Sequence, residues 1–199
     1  MYKIGLDLAL NSVGIAIARD DNLLKYDSYV FPSKEQEIFC PIEKNYFLTN
    51  YIFSIISKYF SKNHLLIVED IYLQMHGKKA QVDGFKHVAY IHGVVGTTYY
   101  AKTSKLPKFI QAVSARKNLA VRTYATKAEL QLFIVDTFKL GQIDKTTRQT
   151  IYTNLELYKS KTISNAVHKN RAIKLSKTIE SQTGISEHIA DAIILTMGV

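Results

Sequence analysis

The chain has 199 residues, 47% of them hydrophobic, which is enough for a single domain with its own core and short for two. Its 26 Lys and Arg against 17 Asp and Glu leave a formal charge of +9, which points to polyanionic partners. The lone Cys40 excludes an internal disulfide, no Cys or His spacing suits structural zinc, and no run reaches the ~20 apolar residues of a membrane helix. A cytoplasmic protein with no membrane partner is therefore expected. The opening MYKIGLDLALNS sets Asp7 where a signal peptide is most apolar, so it reads as mature structure. Abundant Lys, Asn, Ile and Tyr with no Trp fits an AT-rich genome, such as that of a phage acting in its host's cytoplasm.

Residues 2–8 read as an apolar strand, 9–12 as a tight turn, and 13–19 (VGIAIAR) as a second strand. After the turn at Asp20, Asp21 and Asn22, LLKYDSYVF supplies a third strand, so the chain begins as an antiparallel meander. From Pro41 the period changes. Ile42, Phe47, Tyr51, Ile52, Ile55, Ile56 and Tyr59 recur at helical spacing and predict an amphipathic helix over about 42–62. A helical crossover into HLLIVED implies a buried strand parallel to the first. A polar loop, LQMHGKKAQVDG, leads to a helix over about 85–102. There Ala89, Gly93 and Gly96 would admit another helix closely, from within the subunit or from a second copy.

FIQAVSARKNLAV, after Pro107, reads as a strand and its exit. Thr126 caps the helix KAELQLFIVDTF through its hydroxyl, and Gly141 stops it. Residues 142–179 differ from the rest: eight Lys and Arg against Asp144 and Glu156 carry six of the nine excess charges. Ile151, Leu155, Tyr158, Ile163, Val167, Ile173 and Leu175 predict one or two helices there with a basic outer face. Such a face is either a solvated hairpin or a DNA-contacting insertion, and its share of the charge favours DNA. The expected sheet has strand order 3-2-1-4-5 with flanking helices: an α/β, ribonuclease H-like architecture spanning 1–199 as one domain, with 142–179 as a basic helical insertion before the last helix.

Three carboxylates stand at edges of core elements: Asp7 at the end of the first strand, Glu69 at the end of HLLIVE, and Asp191 in HIADAIILTM. Burying unpaired carboxylates is costly and asks for a cation, and hard divalent ions such as Mg²⁺ take oxygen ligands. His188 precedes Asp191 by three residues and shares its helix face. Asp70 competes with Glu69, but neighbouring strand side chains point to opposite faces, so only one of them can meet Asp7. Glu187 competes with His188.

Taken together, IGLDLALNSVGIAI, IVEDIY and HIADAIILTM resemble the RuvC-type Holliday junction resolvases, including their phage relatives, over residues 1–139 and 184 to the end. The resemblance selects Glu69 over Asp70 and implies that Asp7, Glu69, His188 and Asp191 are catalytic and hold two Mg²⁺ ions, with Mn²⁺ able to substitute. It implies a homodimer that resolves four-way junctions by paired nicking and leaves 5′-phosphate and 3′-hydroxyl ends. It also maps an aromatic wedge onto Tyr72, and DNA contacts onto Arg116 or Lys117 and onto Lys127. Lys78, Lys79 and Lys86 would add phosphate contacts or remain solvated loop charges. The helix over 85–102 is the expected dimer surface.

Other readings stay open. A ribonuclease H-like nuclease acting on RNA/DNA hybrids or flaps would carry the same acids, and a metal-free DNA-binding module would need none of them. The sugar-kinase and actin-like ATPases share the opening strand, but the turn ALNS lacks their phosphate-approaching Gly, and 199 residues are few for two lobes.

Overall fold

The computed structural model describes the chain except residues 61–62, 71–78, 120, 122–124 and 199, and the side chains of 79–85. Its strands are β1 (Tyr2–Ala9), β2 (Ser12–Arg19), β3 (Asn22–Val30), β4 (His64–Glu69) and β5 (Lys108–Ile110). They form one sheet in the order β3-β2-β1-β4-β5, the order expected from the sequence. β1, β2 and β3 pair antiparallel, while β4 runs parallel to both β1 and β5.

The two faces of β1 and β2 differ in side-chain size, and this governs what packs on each. Ile4, Leu6, Leu8, Val13, Ile15 and Ile17 point to one face and bury against α2 (Pro41–Ile56) and α3 (Lys79–Thr103). The alternate positions carry Gly5, Asp7, Ser12, Gly14, Ala16 and Ala18, a shallow surface on which α8 (Glu187–Met197) lies. A Cβ on Gly5 would collide with the Ala192 carbonyl, and one on Gly14 with the His188 carbonyl. Behind α8 pack α5 (Lys127–Phe138) and then α6 (Lys145–Lys159) and α7 (Asn165–Thr183).

Several boundaries depart from the sequence reading. The helix expected over 42–62 ends at Ile56 and tightens into a 3₁₀ turn, Ser57–Tyr59, with the Ser57 hydroxyl donating to the Phe53 carbonyl. A short α1 (Ser33–Ile38), with no buried residue and so no apolar stripe to betray it, precedes α2. The helix placed at 85–102 begins at Lys79. The strand read after Pro107 is only three residues long. Its supposed exit is α4 (Ala112–Asn118), a helix held in place by Ala115 and Asn118 against Gly198. Good helix formers in SARKN outweighed the apolar flanks that suggested a strand.

Thr126 does begin α5 through a capping box with Glu129. The helix closes at Lys139 in the left-handed region (φ 55°), two residues before Gly141. The basic insertion forms two helices, α6 and α7. Asp144 and Ser164 cap them, each accepting a backbone N–H three residues on. No described helix is long and apolar enough to cross a membrane.

The seating of α8 yields a prediction. Gly14→Ala forces α8 off the sheet and should cost about 1–3 kcal/mol in urea unfolding. Gly93→Ala in α3, whose Cβ meets nothing within 4 Å, should cost nothing and gain helix propensity. An unchanged midpoint for Gly14→Ala would contradict the seating.

Candidate functional site

Strand alternation puts Asp7 on the α8 face of β1. The parallel register, ending at Leu6 opposite Val68, then puts Glu69 beside it on β4. Leu65 and Ile67 share that face and pack in the α8-side core, whereas Asp70 is exposed and uses its backbone N–H on the Ile110 carbonyl. The two carboxylates therefore sit side by side at the carboxyl ends of neighbouring parallel strands.

α8 completes the cluster. Ser186 caps it by accepting from the Ile189 N–H, which starts the helix so that its first turn lies over Asp7. His188 bonds Asp7 Oδ2 through Nδ1 (2.6 Å), and its Nε2 lies 2.9 Å from the Ser12 hydroxyl. Asp191 Oδ1 accepts from the Arg116 guanidinium at 2.7 Å. Both imidazole nitrogens are thus engaged, one by Asp7 and one by a hydroxyl from the adjacent strand. On the opposite face, the buried His92 ring lies between the carbonyl oxygens of Glu69 and Val88, 2.8 Å from each, and ties α3 to the end of β4.

The electrostatics are those of too much negative charge in too little water. Burial first, then the charges of Asp7 and Asp191, push Glu69 up to about 9, so at neutral pH it is protonated and hydrogen-bonded to Asp7. Burial also raises Asp191, and Arg116 only partly offsets this. For His188, burial works against the charged ring, but the hydrogen bond and charge of Asp7, with Glu187 and Asp191, prevail and raise its pKa. Among the described residues, no group of three or more His, Cys, Asp and Glu side chains forms a finished metal cage. The acids are instead drawn toward His188 and Arg116. The donor set nonetheless fits a hard divalent ion: carboxylate oxygens with one imidazole, and a carboxyl that burial and like charge keep from ionising.

The other residues singled out from sequence fall in three groups. Arg116 and Lys127 lie at the site but face acids, Arg116 toward Asp191 and Lys127 in an ion pair with Glu187. Lys117 and Lys86 are exposed. Tyr72 and Lys78 lie outside the described residues, as does the side chain of Lys79. Sequence reasoning missed Ser12 and His92. Ser12 falls on the small-residue face of β2, a periodicity that marks it, whereas His92 carries no local signal.

The whole chain superposes on the Thermus thermophilus RuvC structure with a TM-score of 0.56 and 12% identity, covering 100% of this chain and 92% of that one. T. thermophilus RuvC in complex with a Holliday junction substrate gives 0.60 and 10%, with the same coverage. No protein-family model matches the sequence, and no curated protein matches it significantly. The chain has a RuvC-like, ribonuclease H-like fold.

A pH dependence follows from the cluster. Glu69, Asp191 and His188 all hold protons more tightly folded than unfolded, so folding takes up protons between the unfolded and folded pKa values. In EDTA, the urea midpoint should fall as pH rises from about 5 to about 9, and Glu69→Gln should flatten much of that fall. A level wild-type profile would contradict the charge balance described above.

Proposed function

We propose that this chain is a metal-dependent endodeoxyribonuclease that resolves four-way DNA junctions by paired nicking, leaving 5′-phosphate and 3′-hydroxyl ends. The observation that carries the reading is the convergence of Asp7 and Glu69, near the ends of β1 and β4, with Asp191 on α8 of a RuvC-like fold, Glu69 being pushed up to about 9. A proton, His188 and Arg116 now offset the three carboxylates, and two Mg²⁺ ions, or Mn²⁺ in their place, would supply a stronger counter-charge. Asp7, Glu69 and Asp191 would hold the ions, with His188 as the fourth candidate ligand. Bound there, such ions would polarise a phosphodiester and lower the pKa of an attacking water.

The protein's own side chains set the conditions for that chemistry. His188 and Ser12 fix the Asp7 carboxylate. The small faces of β1 and β2 bring α8 within reach of the strands, and the buried surround keeps bulk water from screening the charges. Arg116, now on Asp191, would be free to turn to a substrate phosphate were a cation to hold that carboxylate. The excess positive charge of α6 and α7 draws in the DNA backbone.

The likeness to a RuvC bound to a Holliday junction supports branched DNA as the substrate. A four-way junction presents two equivalent strands, which a two-fold homodimer matches. α3 offers the surface: Tyr90, Val94 and Tyr100 are exposed along it, and Gly93 is open.

Asp7→Asn should lower junction cleavage by on the order of a thousandfold or more, while gel-shift affinity for the junction is kept. Four-way, flap and RNA/DNA hybrid substrates assayed together should rank the junction first. Cutting retained by Asp7→Asn would overturn the proposed chemistry, and a preference for hybrid or flap would overturn the substrate.

A further inference from the structure

Next to the acid cluster, and not needed by it, a cavity of about 310 Å³ opens between α4, α5, α7 and α8, with Asp191 at its edge. Leu130, Ala172 and Ile173 give it an apolar lining, and Arg116, Lys127 and Lys169 stand around it. Two of those cations are already spent, Arg116 on Asp191 and Lys127 on Glu187. Lys169 is exposed and makes no ion pair among the described residues. Ile173, four residues on and so on the same side of α7, leaves 47% of its surface exposed, a cost that an apolar ligand would remove.

This combination discriminates between ligands. A simple anion has no use for an apolar lining, and a plain hydrocarbon has none for the cations. A nucleotide needs both, since its base is a flat, largely apolar plate joined to a charged phosphate. The volume lies at the lower end of the range for small-molecule pockets, which suits a single base better than a stacked pair. Both Lys169 and Ile173 come from the basic hairpin, the segment without a counterpart in the sequence resemblance.

We propose that this cavity receives the base of one unstacked nucleotide adjacent to the phosphate being cut, with Lys169 on that nucleotide's phosphate. The proposal rests on the nuclease reading and gives the hairpin a role in selecting distorted DNA. A branch point, where stacking is already interrupted, yields such a base more readily than continuous duplex.

The test uses the full chain carrying Asp7→Asn and junctions with 2-aminopurine at either nucleotide flanking the nick mapped with the wild-type enzyme. Binding should raise the fluorescence at one of the two positions, because the base leaves its neighbours for a pocket whose lining, among the described residues, includes no aromatic ring. Ile173→Asp should suppress the rise. Ile173→Ala, which only trims a half-exposed side chain, should reduce it should the aspartate variant fail to fold. Lys169→Ala should weaken junction binding about tenfold and reduce the salt slope by about one. No rise at either position, or a rise indifferent to both Ile173 variants, overturns the pocket while leaving the nuclease reading intact. Absence of any nick or junction binding by the wild type overturns both.

Discussion

The contact on which the site depends is that of α8 with the bare backbone of β1 and β2. Helices normally rest on a sheet through intervening side chains. Here Gly5 and Gly14 remove those side chains, so the Ala192 and His188 carbonyls approach the strands directly. Gly14 is also the register partner of Asp7. The residue that lets the helix in is thus opposite the residue the helix must reach, and the same contact sets the depth of α8 and brings His188 to Asp7. The large aliphatic side chains of β1 and β2 all point the other way, toward α2 and α3, so core stability and site geometry are assigned to different faces of the same strands.

That close approach creates the electrostatic problem it serves. Asp7 and Glu69 would repel each other even in water, and α8 adds Asp191 while helping to exclude solvent. Three features relieve the strain in the present state: a proton on Glu69, the His188 bond to Asp7, and the Arg116 bond to Asp191. Each is a replaceable counter-charge. A proton can leave and a guanidinium on a surface-facing helix can turn, whereas a hydrophobic isostere would have fixed the site permanently. The polar interior is therefore poised for exchange, at a cost in stability that the apolar core on the far side of the sheet offsets.

Much of this was legible in the sequence because both period and residue size alternate. YKIGLDLA and SVGIAIAR state the two faces outright, and their alternation places Asp7 on the small-residue side. The same rule let only one of Glu69 and Asp70 face Asp7; the resemblance chose Glu69, and the structure leaves Asp70 exposed. The strand order followed from a meander joined to helical crossovers. What was not legible depended on contacts distant in sequence. α4 is held in place by Gly198, 80 residues on from Asn118, and nothing local in AVSARKN announces that contact. Arg116 and Lys127 read as free basic residues because their acidic partners, Asp191 and Glu187, lie on α8. Their charge was visible, but its neutralisation was not.

Those pairings change what the net charge of the chain means. Of the basic residues nearest the acid cluster, Arg116 and Lys127 contribute little field while their partners hold them, and Arg148 on α6 is likewise held by Asp136. Lys169, Arg171, Lys174 and Lys177 on α7 are all exposed. α7 presents these four cations to solvent while its buried residues pack it against α5 and α6. On the proposed function, a substrate drawn in along α7 would arrive at the edge of the cluster where Arg116 and Asp191 sit. The first phosphate to compete for Arg116 would then be one already held by the hairpin. Attraction and exchange of counter-charge would thus follow in spatial order along one path, set by the packing of α7 on α5.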